Sequence, residues 1–278
     1  MSRELAPQSS SRPSPGPRRG LPAFFKLNLF DALAVWRRHF EVYLRLWKME
    51  LAAPLIEPVF MVLAFGWGIG ALIASKVSGM SYLSFIGAGV LSFTAISRAL
   101  FENAYGSYFR MVYQSTFDAI LATPVEAESL AFAEICWATT KAFIDSLLIL
   151  VVLYAFGAAN SPSALLAPLP LVAGSFFAAA LTLVVTAHTH DIDSYNLYLN
   201  LYFSAIFLCG VWFPLEILPE WLQWIAWAIP LTSAIDLARA CFGGQFIARH
   251  LLEALYLILS ALVFAEWAMR ALRKRLVA

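Results

Sequence analysis

The chain has 278 residues, 61% of them hydrophobic and 13% charged, at a mean hydropathy of +0.73 and a net charge of +1. Soluble domains run at about 45–50% apolar and about 25% charged residues, so this composition excludes a water-soluble globule and calls for a bilayer as solvent. The three cysteines, Cys136, Cys209 and Cys241, are odd in number and far apart, so neither a disulfide framework nor a CxxC metal site is expected.

Residues 1–20 are rich in Pro, Ser and Arg and read as a disordered cytoplasmic tail. No apolar segment with a cleavage site follows directly, so a signal peptide is not expected. Over 28–50, Leu29, Leu33, Trp36, Phe40, Tyr43, Leu44 and Trp47 recur at steps of three and four. Arg37, Arg38, Glu41, Arg45 and Lys48 fill the other face. That pattern predicts an amphipathic helix lying in the membrane interface, within an interfacial segment of residues 21–50.

The rest of the chain, 51–278, reads as one transmembrane domain. Stretches of about twenty apolar residues predict six spans near 54–75, 83–105, 132–156, 164–187, 196–213 and 249–270. A further apolar stretch, 214–242, is broken by Pro214, Pro219 and Pro230 and holds Glu216, Glu220, Asp236 and Arg239. Backbone broken in this way survives at membrane depth only where protein or water satisfies it. A re-entrant helical hairpin before the last span is expected there. The fold class is therefore all-α and polytopic.

Lys and Arg set the orientation. With both termini cytoplasmic, fourteen fall on the inner side, and three (Lys76, Arg239, Arg249) on the outer. Arg98 and Lys141 lie within spans.

The loop between spans two and three, 110–126, contains Phe117, Ile120 and Leu121 at helical spacing. Asp118 sits in the first turn after Ser115 and Thr116, and Pro124 ends the pattern. This predicts a short helix parallel to the membrane, either a docking peg with an apolar face offered to the cytosol or a loop resting on lipid.

The stretch Thr116-Phe-Asp-Ala-Ile-Leu-Ala-Thr-Pro-Val125, followed by Ala133-Glu-Ile-Cys-Trp-Ala-Thr-Thr-Lys141, resembles the cytoplasmic gate region of ABC-2 type transporter permeases. Its nearest likeness is to the nodulation J branch, which exports lipo-oligosaccharides. Gly210-Val-Trp-Phe-Pro-Leu-Glu-Ile-Leu-Pro-Glu-Trp221 and Pro230-Leu-Thr-Ser-Ala-Ile-Asp-Leu-Ala-Arg239 resemble the C-terminal signature of the same superfamily, and Ala34-Val-Trp-Arg-Arg38 is similar to the nodulation J type. The segment His188–Tyr195 departs from the pattern expected at the start of span five.

The resemblance implies several roles. Helix 28–50 is the connecting helix. Loop 110–126, with Arg110, Thr116, Phe117, Asp118, Ile120, Leu121 and Pro124, is the coupling helix that fits an ATPase groove. The hairpin, with Pro214, Pro219, Trp221, Pro230, Asp236 and Arg239, closes the exit side, and two copies pair around the pathway. ATP and Mg would then belong to the partner ATPase, with no cofactor on this chain. None of the five lysines follows a glycine, so no Walker A phosphate cradle exists here.

Ionisable residues at membrane depth are functional candidates. They are Glu57 in span one, Arg98 and Glu102 in span two, and Glu134, Lys141 and Asp145 along one face of span three. Lys141 and Asp145, four apart, could neutralise each other; the group either pairs helices or lines a polar path. Tyr195, Tyr198 and Tyr202 step along span five as an interfacial belt or as stacking faces for sugar rings. His188, His190, Asp191 and Asp193 cluster in the preceding loop. As metal ligands they are hard-soft mixed and lack a second cluster, so no metal site is expected; they read as a solvated turn, and a His188/Asp193 acyltransferase dyad, which needs a walled pocket, remains a rival reading of another class.

The expected activity is the permease half of an ABC exporter in the inner membrane, not itself an enzyme. It would act as a homodimer on a lipo-oligosaccharide or polysaccharide, with export of a drug or other amphiphile as the alternative and no nucleic-acid partner.

Overall fold

The structure, a computed structural model, describes residues 22–73, 76–189 and 191–277. The tail 1–20 and His190 lie outside the described residues. No strand occurs among the described residues; helices account for nearly all of them.

Helix α1 is Leu29–Arg45, started by Asn28, whose side chain accepts from the Phe30 amide, with Asp31 and Arg45 placed to favour its dipole. The expected helix 28–50 is interrupted at Leu46, and Trp47 opens the first span, α2 (Trp47–Ile69). This span starts seven residues before the expected 54–75. Lys48 and Glu50 made the sequence look interfacial, but Glu50 turns into the bundle and finds cations there. The inner face of α1 also differs from the apolar stripe in the sequence. Ala32, Val35, His39 and Tyr43 are buried, whereas Leu29, Leu33 and Leu44 are exposed. Pro54 and Pro58 sit inside α2, and its last two turns are π-helical, as missing amides permit.

Helix α3 (Tyr82–Val112) is the central post, 89% buried along its most apolar stretch, and becomes π-helical over Glu102–Ser107. A short helix, α4 (Thr116–Leu121), leads to α5 (Ala127–Ala155) and α6 (Pro162–His188). Helix α7 (Ile192–Leu208) follows, capped by Asp191, whose side chain accepts from the Ser194 amide at 2.7 Å. Then come α8 (Glu220–Ala228), α9 (Pro230–Gly243) and the last span, α10 (Ala248–Val277).

Among the described residues, five helices are long and apolar enough to cross a membrane: α2, α3, α5, α6 and α10. Helix α7, at 17 residues, reaches about 26 Å, slightly short of a bilayer core of about 30 Å. Its neighbours show that it nevertheless runs the length of α3. The Tyr195 ring lies 5.6 Å from Tyr108 near one end of α3. Just past the other end of α7, the Val211 carbonyl presses on Gly89, where an added Cβ would meet it at 2.2 Å. With α7, six helices among the described residues are candidates to cross the membrane.

Helices α8 and α9 meet at 94°. The Ser163 hydroxyl donates to the Cys241 carbonyl at the far end of α9, and Ala234 packs on Gly174 beside Ile96, midway along α3. The hairpin thus dips to mid-depth and returns to the end of the bundle where α3 begins. The first described residues and the C-terminal half of α10 lie at the opposite end: the amides of Ala23 and Phe24 donate to Glu266 of α10.

We expect an impermeant thiol reagent to reach cysteines placed at 216 and 245 from the same side, and one at 122 from the other, in a background lacking the three native cysteines. Positions 216 and 245 reacting from opposite sides would require α8 and α9 to form one straight crossing.

Candidate functional site

Eight ionisable side chains from four helices meet inside the bundle. Residues 98, 102 and 110 of α3 share one face, as do 134, 141 and 145 of α5, because steps of three and four return to the same side of a helix. Helix α1 adds His39, and α2 adds Glu50.

The contacts form an unbroken chain. His39 Nε2 lies 2.9 Å from Glu134 Oε1. Ser107 Oγ and Arg110 Nη2 each donate to Glu134 Oε2 at 2.6 Å. Arg110 Nη1 donates to Glu102 Oε1 at 3.1 Å, where the Trp137 indole also donates. Lys141 Nζ sits 2.9 Å from both Glu102 Oε2 and Glu50 Oε2. Arg98 donates to Glu50, and its Nε lies 2.9 Å from Asp145 Oδ2 as an ion pair without hydrogen-bond geometry. Four carboxylates face Arg98, Arg110 and Lys141, with the His39 imidazole at one end of the chain of contacts.

Local backbone makes the chain possible. Gly106 lies one turn from both Glu102 and Arg110, and a Cβ there would press on Glu102 Oε1 at 2.8 Å and on both terminal Arg110 nitrogens at 3.2 Å. The π-helical turn in α3 falls at this point, and such turns are frequent at functional sites. A cavity of about 290 Å³ lies alongside, lined by Tyr43, Glu50, Glu102, Phe109, Arg110 and Lys141 among others.

Several expectations are corrected. Lys141 and Asp145 do not neutralise each other; Asp145 is fully buried and meets Arg98, while Lys141 reaches across to α2 and α3. Glu50, which sequence reasoning assigned to the interface, is a central member. Its apolar flanks hid the direction in which it points. Arg110 is not on a docking surface but in the network, with its side chain 15% exposed. Glu57 stands apart from the network and is exposed on α2.

The loop helix α4 is also rearranged. Phe117 is fully buried in the chain's own core, and Ile120 and Leu121 pack against that core. The apolar face therefore points inward, and Gln114, Asp118, Ala119, Ala122 and Pro124 are exposed. Thr116 is half-buried. Ser115, in a left-handed conformation, makes no side-chain cap. The expected helix 110–126 is thus shorter, because its first three residues continue α3 and Ala122–Pro124 form a turn.

Tyr195 and Tyr202 are buried and Tyr198 is half-buried. Tyr195 and Tyr198 place their hydroxyls 2.6 and 3.1 Å from Thr186 and Thr182 on α6. These tyrosines seal α7 to α6 inside the protomer and form neither a belt nor a free stacking face. His188 Nδ1 donates to the Val184 carbonyl at 2.8 Å, and among the described residues no hydrogen bond joins it to Asp193, so the dyad is not assembled.

In the hairpin, Pro214 and Pro219 precede the short helical turn 215–217 and α8, and Pro230 opens α9. Trp221 is exposed. Arg239 is buried, donates to the Gly210 and Val211 carbonyls and lies 3.9 Å over the Phe85 ring. It satisfies broken backbone. Asp236 pairs with Arg249 at 3.3 Å.

Removing one partner from a buried ion pair costs about 3–5 kcal/mol, whereas replacing both by neutral groups is far milder. Arg110→Met should therefore sharply lower the thermal stability of the solubilised chain, and Arg110→Met combined with Glu134→Gln should recover much of the loss. A single variant as stable as the unaltered chain would show that the network does not hold the helices.

Comparison with known proteins adds the family context. The pattern of the ABC-2 type transporter family matches residues 31–243. The chain is 34% identical over 251 residues to Nodulation protein J of Rhizobium leguminosarum bv. viciae, covering 88% of this chain and 95% of that protein. It is 31% identical over 234 residues to Nodulation protein J of Sinorhizobium fredii, covering 82% and 88%. It is also 22% identical over 187 residues to ABC transporter G family member 20 of Dictyostelium discoideum, covering 66% of this chain and 26% of that protein.

Proposed function

Because the chain belongs to the ABC-2 type transporter family and is the permease subunit of an ABC exporter, we propose that two copies pair and work with a separate ATPase. Together they would move a lipo-oligosaccharide or polysaccharide outward across the inner membrane. The observation that carries this reading is the end of the bundle where the network, α1 and α4 meet. Polar contacts and ion pairs tie α1, α2, α3 and α5 together, and Arg110 of this network lies six residues before the start of α4, which leaves Asp118 and Ala119 exposed. A push on α4 is then transmitted to four helices at once instead of being absorbed by one loop.

The fourteen-to-three Lys/Arg bias supports cytoplasmic termini, which puts α4 on the ATP side. Pairing of two copies is supported by α2. Only 18% of its most apolar stretch is buried, and it carries Glu57 exposed at membrane depth, where a carboxylate needs a covering partner or a watery path. ATP and Mg would be held by the ATPase, since this chain has no Walker A lysine. The resemblance of the sequence motifs to the lipo-oligosaccharide-exporting branch supports an amphiphilic glycan as cargo.

The test uses the exposed face of α4. Asp118→Arg and Ala119→Arg should each weaken capture of the ATPase by about tenfold, the equivalent of 1.4 kcal/mol, while membrane assembly stays normal. Phe117→Ala, which hollows the loop's own anchor, should reduce stability first. Undiminished capture and coupled ATP turnover in both arginine variants would remove α4 from the mechanism.

A further inference from the structure

At the opposite end of the bundle, three side chains with metal-ligand chemistry converge. Asp236 lies on α9, and His250 and Glu253 lie one turn apart at the start of α10. Their donor atoms all fall within 4.8 Å of one another. The spacing of His250 and Glu253, i and i+3, puts both on one helix face, and Pro230 and Gly244 at the two ends of α9 bring Asp236 to meet them.

A second observation concerns the carboxylate of Glu253. Glu253 is 93% buried, being 7% exposed. Its Oε1 accepts from Arg249 Nε at 2.5 Å, but Oε2 is buried without a hydrogen-bond partner among the described residues. An unsatisfied buried carboxylate oxygen is costly. Arg249 also reaches Asp236 Oδ2 at 3.3 Å. Its single charge therefore serves two carboxylates, while its side chain is 53% exposed and lies over Trp227 at 4.3 Å. A cavity of about 480 Å³ lined by Asp236, Arg239, Arg249 and His250 adjoins the cluster.

We propose that Asp236, His250 and Glu253 form a binding site for a first-row divalent cation such as Zn²⁺, tying the re-entrant hairpin to the last span. One imidazole and two carboxylates suit such ions better than Mg²⁺ or Ca²⁺, which prefer all-oxygen sets. A compact double charge neutralises both carboxylates and gives Glu253 Oε2 a partner. Arg249 swings outward along the Trp227 ring, and the cavity leaves room for water in the remaining coordination positions. Ligation through His250 Nε2 moves the ring proton to Nδ1. The hydrogen bond that Nδ1 now accepts from the Ile247 amide is given up, and water replaces it at this exposed turn.

The test is a competition titration with a chromophoric zinc chelator, on the full chain in detergent, purified without a polyhistidine tag. We expect one Zn²⁺ per chain, at least about tenfold weaker binding in His250→Ala and Glu253→Gln, and binding as tight or tighter in Arg249→Gln, which removes the competing charge. Equal binding in all variants (an adventitious ion only), or loss of binding in Arg249→Gln, would overturn the site. Co²⁺ gives a readout on the unaltered chain should a variant fail to fold. A visible d–d spectrum without sulfur charge transfer, erased by Zn²⁺, supports the assignment, and a spectrum dominated by thiolate bands or no spectrum contradicts it.

Discussion

A carboxylate taken out of water must meet a cation or give up its charge, and a group of four is held in one network inside this bundle. Glu50, Glu102, Glu134 and Asp145 are each met by Arg98, Arg110 or Lys141. Because the partners come from different helices, no one helix can shift alone without stranding a charge. Helices α1, α2, α3 and α5 are thereby fixed in register by pairing in a membrane domain where apolar contacts alone discriminate poorly between positions, since lipid tails compete with them. The π-helical turn of α3 and the missing side chain at Gly106 are the local accommodations that let Arg110 fold back onto Glu102.

The second constraint is backbone. A hairpin that enters and leaves on one side exposes amides and carbonyls at depth, and each needs a partner. Arg239 serves the carbonyls of Gly210 and Val211, Thr232 serves Ala226, and Tyr256 of the last span serves Ala228. The hairpin is thus held to α3 through Arg239 over Phe85 and to α10 through Tyr256. The ends of the molecule divide the work: the ionic clamp and α4 at one, the polar hairpin and its cavity at the other.

The spans and the broken hairpin were legible because bilayer thickness and proline each leave a direct mark on sequence. The participation of Arg98, Glu102, Glu134, Lys141 and Asp145 in something shared was also legible, since charge at membrane depth is conspicuous. Their pairing was not, because spacing along one helix says nothing about which helix lies opposite; Asp145 met Arg98 instead of Lys141. Glu50 was missed because it lies where an interfacial helix was expected to continue. Phe117 was read as facing outward because periodicity defines a face but not its direction. His250 and Glu253 went unnoticed because only the fold brings them to Asp236.

Drive from a separate ATPase is the central element of the proposed function. The direct measurement is movement of a fluorescent lipo-oligosaccharide across proteoliposomes that contain the chain with its ATPase. Movement is expected only with ATP, with both chains present, and with ATP turnover that responds to the permease. Movement at the same rate without the ATPase, or ATP turnover indifferent to the presence of this chain, would contradict it.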